Sequence, residues 1–416
     1  MNILWITNIP FPEATQLLAG DGELKASGGW MLGAANALLS KKEVKLTVAS
    51  VSNKVSKLTR LMGKQISYYI LPFGKGNLKI NPDYIIYWKI VQEEVTPDVI
   101  HIHGTEYSHG HAYMEACGSK NVVISIQGLT SACCHYYYHG MTKWDIYNNL
   151  TLRDLLKGSI LDGQRSFKRR GEIEKAMLRK CEHIIGRTSW DRARTWTINP
   201  IAKYHFCNET LRNEFYDGSV WDYQQCSKHS IFLSQASYPI KGLHQFLKAM
   251  PLILRHFPDT NVRIAGNDIT KTDTLYDKLK MTGYGLYIKR LIRKLKLDDK
   301  VIFIGNLNAE EMKMEYLKSN VFICPSTIEN SPNSLGEAQI LGVPCIASYV
   351  GGIADMMEGN EENLYRFEEI EMLAEKVCRI FSDMENQKSM IETAHQRHNP
   401  NTNGSKLYSI YESIIG

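Results

Sequence analysis

The chain has 416 residues, more than one hydrophobic core ordinarily supports, and its 44% hydrophobic and 22% charged composition is that of a soluble globular protein of two domains. No apolar run approaches the roughly 20 residues that a membrane-spanning helix needs, and a net charge of +5 without a nucleic-acid-binding motif does not select a nucleic-acid partner. Nine cysteines with no C-x-x-C pair argue against a disulfide framework or zinc cluster, and Met1-Asn-Ile-Leu-Trp-Ile-Thr lacks the basic start of a secretory signal, so reduced thiols and a cytoplasmic location are expected.

In chain order, Ile3–Thr7 reads as a first buried strand. Gly28 and Gly29 then precede a helix predicted from Met31 to Leu39. A glycine pair between strand and helix lets backbone amides approach an anion, so both are candidate ligand contacts, although a plain turn reads equally well. Strands follow at Leu46–Val51, Val99–Ile102, Val122–Ile126 and His183–Gly186, separated by longer periodic stretches, which is the pattern of βαβ units and a parallel sheet. His101 and His103 share one strand face, but no third metal ligand is evident and they read as core or cleft histidines. Gln127 ends the next strand and is a candidate cleft residue. Acceptor recognition is expected in first-domain loops such as 127–149. The basic residues from Lys143 to Lys180 read either as a solvated helical face or as a surface for an anionic membrane or a diphosphate-linked acceptor.

The polar, aromatic stretch Asn213–Lys228 reads as a linker, after which the strand pattern restarts at Ser230–Ser234, Val262–Ala265, Val301–Ile304, Val321–Cys324 and Pro344–Ala347. The fold class expected is α/β: two Rossmann-like parallel-sheet domains, residues 1–215 and 216–404, facing a cleft that holds the ligand. The segment 405–416 has Leu407, Ile410, Tyr411 and Ile414 at helical spacing and is expected to return to the first domain.

Two loops of the second half carry chemistry. Gln235-Ala-Ser-Tyr-Pro-Ile-Lys241-Gly242 puts one cation beside a glycine after a strand, suited to compensating a diphosphate leaving group, with an exposed helix-start lysine as the bland alternative. Glu329-Asn-Ser-Pro-Asn-Ser-Leu-Gly-Glu337 sets two carboxylates eight positions apart around a strand-to-helix turn. Pro332 near the helix start leaves amides free for an anion, and Glu337, one turn inside, would meet a neutral diol.

Together these motifs resemble the family-4 retaining glycosyltransferases of GT-B fold. The resemblance rests on Glu329 to Glu337 followed by Gly342-Val-Pro-Cys-Ile-Ala-Ser and Gly351-Gly352, with Lys241-Gly242 and Gly28-Gly29 at the expected places. It implies that Glu337 binds the nucleotide ribose, and that Glu329 with the amides of Asn330, Ser331, Asn333, Ser334 and Leu335 holds the donor sugar and diphosphate. Lys241 would pair with the phosphates, and the backbone around Asn306 would contact the base. Two departures stand out: Gln235 where many members have arginine, and Gln127 where they have histidine, which leaves Gln127 a candidate orienting residue. Gly186-Arg-Thr-Ser-Trp-Asp191-Arg192, with Glu209-Thr-Leu-Arg212, looks like a pattern of members from bacterial polysaccharide gene clusters.

The activity implied is transfer of a hexose or N-acetylhexosamine from a nucleotide diphosphate sugar, UDP-linked, to a carbohydrate or lipid-linked oligosaccharide in bacterial surface polysaccharide synthesis. Catalytic roles would fall to Glu329, Lys241 and Gln127, with no metal and no cofactor required. Partners would be the donor, the saccharide acceptor and, peripherally, the inner face of the membrane. The alternatives are a nucleotide-sugar epimerase or phosphorylase on the same fold, or a catalytically weak nucleotide-sugar-binding scaffold subunit.

Overall fold

The computed structural model describes residues 1–20, 31–72, 82–382 and 388–416. Gly28 and Gly29 lie outside the described residues. The chain forms two compact units: unit 1 comprises Met1–Ala132, Phe167–Arg212 and His398–Gly416, and unit 2 comprises Cys133–Ser166 and Asn213–Arg397.

Unit 1 is built on eight strands: β1 (Asn2–Thr7), β2 (Lys45–Ser52), β3 (Thr59–Met62), β4 (Ser67–Pro72), β5 (Val99–His103), β6 (Val122–Ser125), β7 (His183–Gly186) and β8 (Lys203–Phe206). They lie in the order β3-β4-β2-β1-β5-β6-β7-β8, all parallel except the β3–β4 pair. Strand alternation sends neighbouring residues to opposite faces, so each face builds its own core. Leu4, Ile6, Ile100 and Ile102 pack with Trp88 and Tyr113 of the helices Pro82–Val95 and Ser108–Cys117. Ile3, Trp5 and Val99 pack on the other face with Ala35 and Leu38 of the helix Leu32–Leu39. The helix Pro400–Ile415 buries Leu407, Ile410, Tyr411 and Ile414 in this second cluster. Tyr411 accepts a hydrogen bond from Trp5 Nε1 (2.9 Å) and lies 2.5 Å from His101 Nδ1.

Unit 2 holds β9 (Ser230–Leu233), β10 (Asn261–Ile264), β11 (Val301–Phe303), β12 (Val321–Cys324), β13 (Cys345–Ser348) and β14 (Leu364–Tyr365), in the order β11-β10-β9-β12-β13-β14 and parallel throughout. Ile231, Leu233, Val321 and Ile323 face the helices Leu243–His256 and Ile370–Ser382, whereas Phe232 and Phe322 turn to the opposite face and pack on Tyr316.

Segment 133–166, expected in the first domain, belongs to unit 2. Met141 and Ile146 are buried in the unit 2 core, Thr327 Oγ1 donates to the Tyr136 carbonyl (2.9 Å), and His244 Nε2 donates to that of His139 (2.8 Å). Residues 398–404 likewise join unit 1 rather than the second domain. None of the nine cysteines is in a disulfide. Among the described residues no helix is long and apolar enough to cross a membrane.

His101 and His103 of β5 and His109 of the helix Ser108–Cys117 are enclosed, at 2%, 8% and 2% exposed. Burial pushes the His103 imidazole down to about 3, with the Arg187 charge adding to it, and brings His109 down to about 4. The His101 imidazole is also held well below its ordinary value, by burial and then by His103. A depressed folded-state value means that below the unfolded value of about 6.5 the unfolded chain binds protons the folded chain refuses. The stability these groups contribute is therefore complete above that pH and is lost as pH falls toward the folded values. Each enclosed histidine is expected to cost about 1.4 kcal/mol per pH unit in that window. The urea midpoint should drop between pH 7 and pH 5, before most carboxylates titrate; a flat midpoint over that range would count against the assignment.

Candidate functional site

The loops that leave the carboxyl ends of the parallel strands of unit 2 carry the predicted donor residues, since every strand there points the same way. After β9, Gln235 is exposed, and Pro239–Lys241 forms a single 3-10 turn that ends at Gly242. After β12, residues 325–332 lead into the helix Asn333–Ile340, which has Pro332 as N-cap and no side-chain cap. Proline suits that position because the first helical amides have no partner inside the helix.

The two loops meet at an ion pair. Lys241 Nζ lies 2.7 Å from Glu329 Oε1, and Ser326 Oγ donates to the same carboxylate oxygen at 2.9 Å. The lysine and glutamate side chains are 20% and 16% exposed, enough to be reached by a ligand and too little to be screened as a surface pair would be. Burial disfavours the Lys241 charge, but the Glu329 carboxylate and Tyr238 outweigh it and hold its pKa above the ordinary lysine value. Lys241 is therefore a permanent cation at neutral pH. Its Nζ also sits 5.9 Å from the Tyr238 ring centroid.

Backbone contacts lock the pair. Thr327 N donates to the Ile240 carbonyl (2.7 Å), tying the Lys241 turn to the β12 loop, and Gly352 N donates to the Glu329 carbonyl (3.0 Å). A Cβ on Gly351 would lie 1.8 Å from that carbonyl oxygen, which explains the glycine at this position after β13. In the helix, Glu337 is 4% exposed, Asn330 is buried before it, and Ser334 is held through its carbonyl by Tyr316 OH (2.8 Å). Asn306 is exposed and donates to Asn267 Oδ1 (3.0 Å), joining the loops after β10 and β11.

Lys241 and Glu329 are thus in direct contact, and Asn330, Ser331, Asn333, Ser334, Leu335 and Glu337 form one continuous loop and helix start beside them. Gln127 belongs to unit 1 and is held at both ends of its amide: Nε2 donates to Glu209 Oε1 (2.6 Å), and Oε1 accepts from Arg187 Nη2 (3.3 Å). Arg187 also pairs with Glu209 at 2.7 Å and donates to the Ile126 carbonyl (2.7 Å). The pattern 186–192 with 209–212 therefore clamps the strand end that carries Gln127. Ser326 and Tyr238 join the site unannounced by any spacing, although each stands three residues from its charged partner in sequence. Glu106, another addition, accepts from Asn8 Nδ2 (2.9 Å) at the carboxyl ends of β1 and β5, and burial raises its pKa.

His101 and His103 stack with ring centroids 3.8 Å apart, and both His101 nitrogens meet hydroxyls, those of Tyr411 and Ser125. Among the described residues no group of three or more His, Cys, Asp or Glu side chains is arranged to hold a metal ion.

Residues 226–397 match the profile of the family described as Glycosyl transferases group 1. An uncharacterized glycosyltransferase of Methanocaldococcus jannaschii is 26% identical over 162 residues, covering 38% of this chain and 37% of that protein. N-acetyl-alpha-D-glucosaminyl L-malate synthase of Bacillus anthracis is 29% identical over 152 residues, covering 35% of this chain and 38% of that protein. The chain thus spans less than two-fifths of the length of these curated relatives. Sucrose-phosphate synthase from Thermosynechococcus elongatus superposes with a TM-score of 0.70 at 16% identity, over 99% of this chain and 98% of that one, a likeness of fold. Residues 226–397 are thus similar to the group 1 glycosyl transferases, and the chain has a GT-B fold.

Proposed function

We propose that the protein is a retaining glycosyltransferase that moves a hexose or N-acetylhexosamine from a nucleotide diphosphate sugar, UDP-linked, to a carbohydrate or lipid-linked saccharide. Its place would be bacterial surface polysaccharide synthesis, in the cytoplasm and peripherally at the inner face of the membrane. The observation that carries this reading is the Lys241–Glu329 pair set beside the uncapped start of the helix Asn333–Ile340. A fixed cation and a helix N-terminus together suit a diphosphate. Glu337, acceptor-only when ionised, suits the ribose diol, and Glu329 suits hydroxyls of the transferred sugar. The name of the Bacillus anthracis relative supports an N-acetylhexosamine as the group moved.

In this mechanism the bond between the anomeric carbon and the diphosphate oxygen breaks while a bond to the acceptor oxygen forms on the same face. The acceptor proton passes to the departing phosphate oxygen. Lys241 and the helix amides stabilise the charge that develops there, and the protein otherwise supplies positioning. Gln127, fixed by Arg187 and Glu209, would orient the acceptor side of the reaction.

The test is a thermal-shift screen of nucleotide diphosphates and their sugars, because a ligand of the folded state raises its apparent stability. One nucleotide class should shift the wild type, and Glu337→Ala should weaken its calorimetric affinity about tenfold or more, the value of a lost charged hydrogen bond. Unchanged affinity would remove Glu337 from the donor site. The engaged amide of Gln127 favours a second reading, a nucleotide-sugar-binding subunit with little turnover of its own. Donor binding without transfer to any acceptor distinguishes it.

A further inference from the structure

Unit 2 carries a cluster of large apolar side chains that its core does not use. In segment 143–157, Trp144 is 72% exposed, Tyr147 55%, Leu152 68%, Leu155 72% and Leu156 85%. The short helix Leu275–Lys280 has no buried residue at all, and Leu275, Tyr276 and Leu279 are 79%, 62% and 61% exposed. The two segments form one surface: the helices Leu152–Lys157 and Leu275–Lys280 lie side by side, Thr151 Oγ1 donates to the Met281 carbonyl (2.8 Å), and Arg290 Nη1 donates to that of Asn148 (2.8 Å). Isolated surface leucines are ordinary, whereas eight large apolar residues gathered on adjoining elements are not.

The order of these segments argues that the exposure is built in. Capping boxes at Thr142–Asp145, Thr151–Asp154 and Thr274–Asp277 fix all three short helices of the surface. Those caps engage Asp145, Asp154 and Asp277, and the rim carries Lys143, Arg153, Lys157, Lys278, Lys280 and Arg290, of which Arg153 lies 3.4 Å from Asp154. Along the helix Ile160–Lys180, three basic residues are paired: Arg165 with Asp162 (2.8 Å), Lys175 with Glu172 (3.1 Å) and Lys180 with Glu115. The basic residues expected over 143–180 therefore lie both on this surface and along that helix, which also carries Lys168, Arg169, Arg170 and Arg179.

We propose that the surface formed by segment 143–157 and the helix Leu275–Lys280 docks the protein onto an anionic lipid bilayer. Side chains as exposed as Leu156 and Leu275 stand clear of their neighbours, which suits insertion among acyl chains rather than closure of a groove. Trp144, Tyr147 and Tyr276 have the amphipathic rings that settle at headgroup level, and the lysine and arginine rim matches an anionic surface. The same rim disfavours a second copy, because a two-fold contact would set like charges against each other. This deepens the location given under the proposed function and does not depend on the donor chemistry.

The full-length protein should float with vesicles of phosphatidylcholine and phosphatidylglycerol, not with phosphatidylcholine alone, and added salt should weaken the association. Replacing Leu155, Leu156 and Leu275 together by Ser should lower partitioning on the order of tenfold or more. Because these side chains are exposed, melting temperature and nucleotide-induced shift should stay as in the wild type, so loss of docking is separable from loss of the donor site. Equal partitioning of variant and wild type would overturn the proposal. So would absence of flotation together with a concentration-dependent dimer that the triple substitution abolishes.

Discussion

Replacing Lys241 by Ala is expected to lower turnover about a hundred- to a thousandfold, the usual consequence of removing a fixed group that faces charge developing on a leaving group. The reason is local. Lys241 is the cation that contacts Glu329 on the turn between β9 and the helix Leu243–His256, and Gln235 earlier in that loop adds no second charge. The loss should appear in kcat as well as in affinity for the nucleotide diphosphate product, since both the departing group and the product bear the charge. Stability should fall too, by a few kcal/mol at most, because Glu329 keeps Ser326 as a partner and some access to water. Glu329→Gln should leave the cation in place and retain more product affinity than Lys241→Ala. Wild-type turnover and product binding in Lys241→Ala would sink the assignment.

The second large effect concerns a residue with no side chain. Gly242 has φ of +70°, and a Cβ there would lie 1.6 Å from the carbonyl oxygen of Pro325. Gly242→Ala thus combines an unfavourable backbone conformation with a collision against main chain that no rotamer can relieve. A loss on the order of 3 kcal/mol or more is expected, with nucleotide binding impaired because the turn holding Lys241 must move away from the β12 loop. Gly218, at φ of +88° with nothing within 4 Å of its would-be Cβ, separates the two causes. Gly218→Ala should cost only about 1 kcal/mol and leave binding intact. If denaturant midpoints for the two variants coincide, the collision is not what constrains Gly242.

Ten strands are legible in the sequence because each is a short apolar run bounded by turn residues, and all ten are present within a residue or two of their expected limits. The strands left unassigned have mostly physical reasons for silence. β3 and β8 have mixed exposed and half-buried positions, and β14 has only two residues. β4 is an exception, an apolar run that the same reading should include. Within the candidate site, residues 329–337 are legible because one loop and helix start carry them all. The pairing of Lys241 with Glu329 spans 88 positions: the resemblance assigns both to the donor without pairing them, and no local spacing does so. The Gln127, Arg187 and Glu209 cluster depends on three strand ends converging, which no periodicity encodes. Segment 133–166 is misleading for a related reason: its short capped helices expose most of their apolar residues and carry no sign of which sheet will bury Met141 and Ile146.

The hydrogen bond from Trp5 to Tyr411 crosses 406 positions of sequence. A ribosome delivers the first of these residues long before the second, so the sheet of unit 1 emerges with the indole of Trp5 and the ring of His101 awaiting a helix made much later. During that interval the cluster that receives Leu407, Ile410 and Ile414 is open on one side. Vectorial synthesis thus exposes a nascent apolar face while the intervening residues are made, and maturation of the first unit waits on the helix Pro400–Ile415.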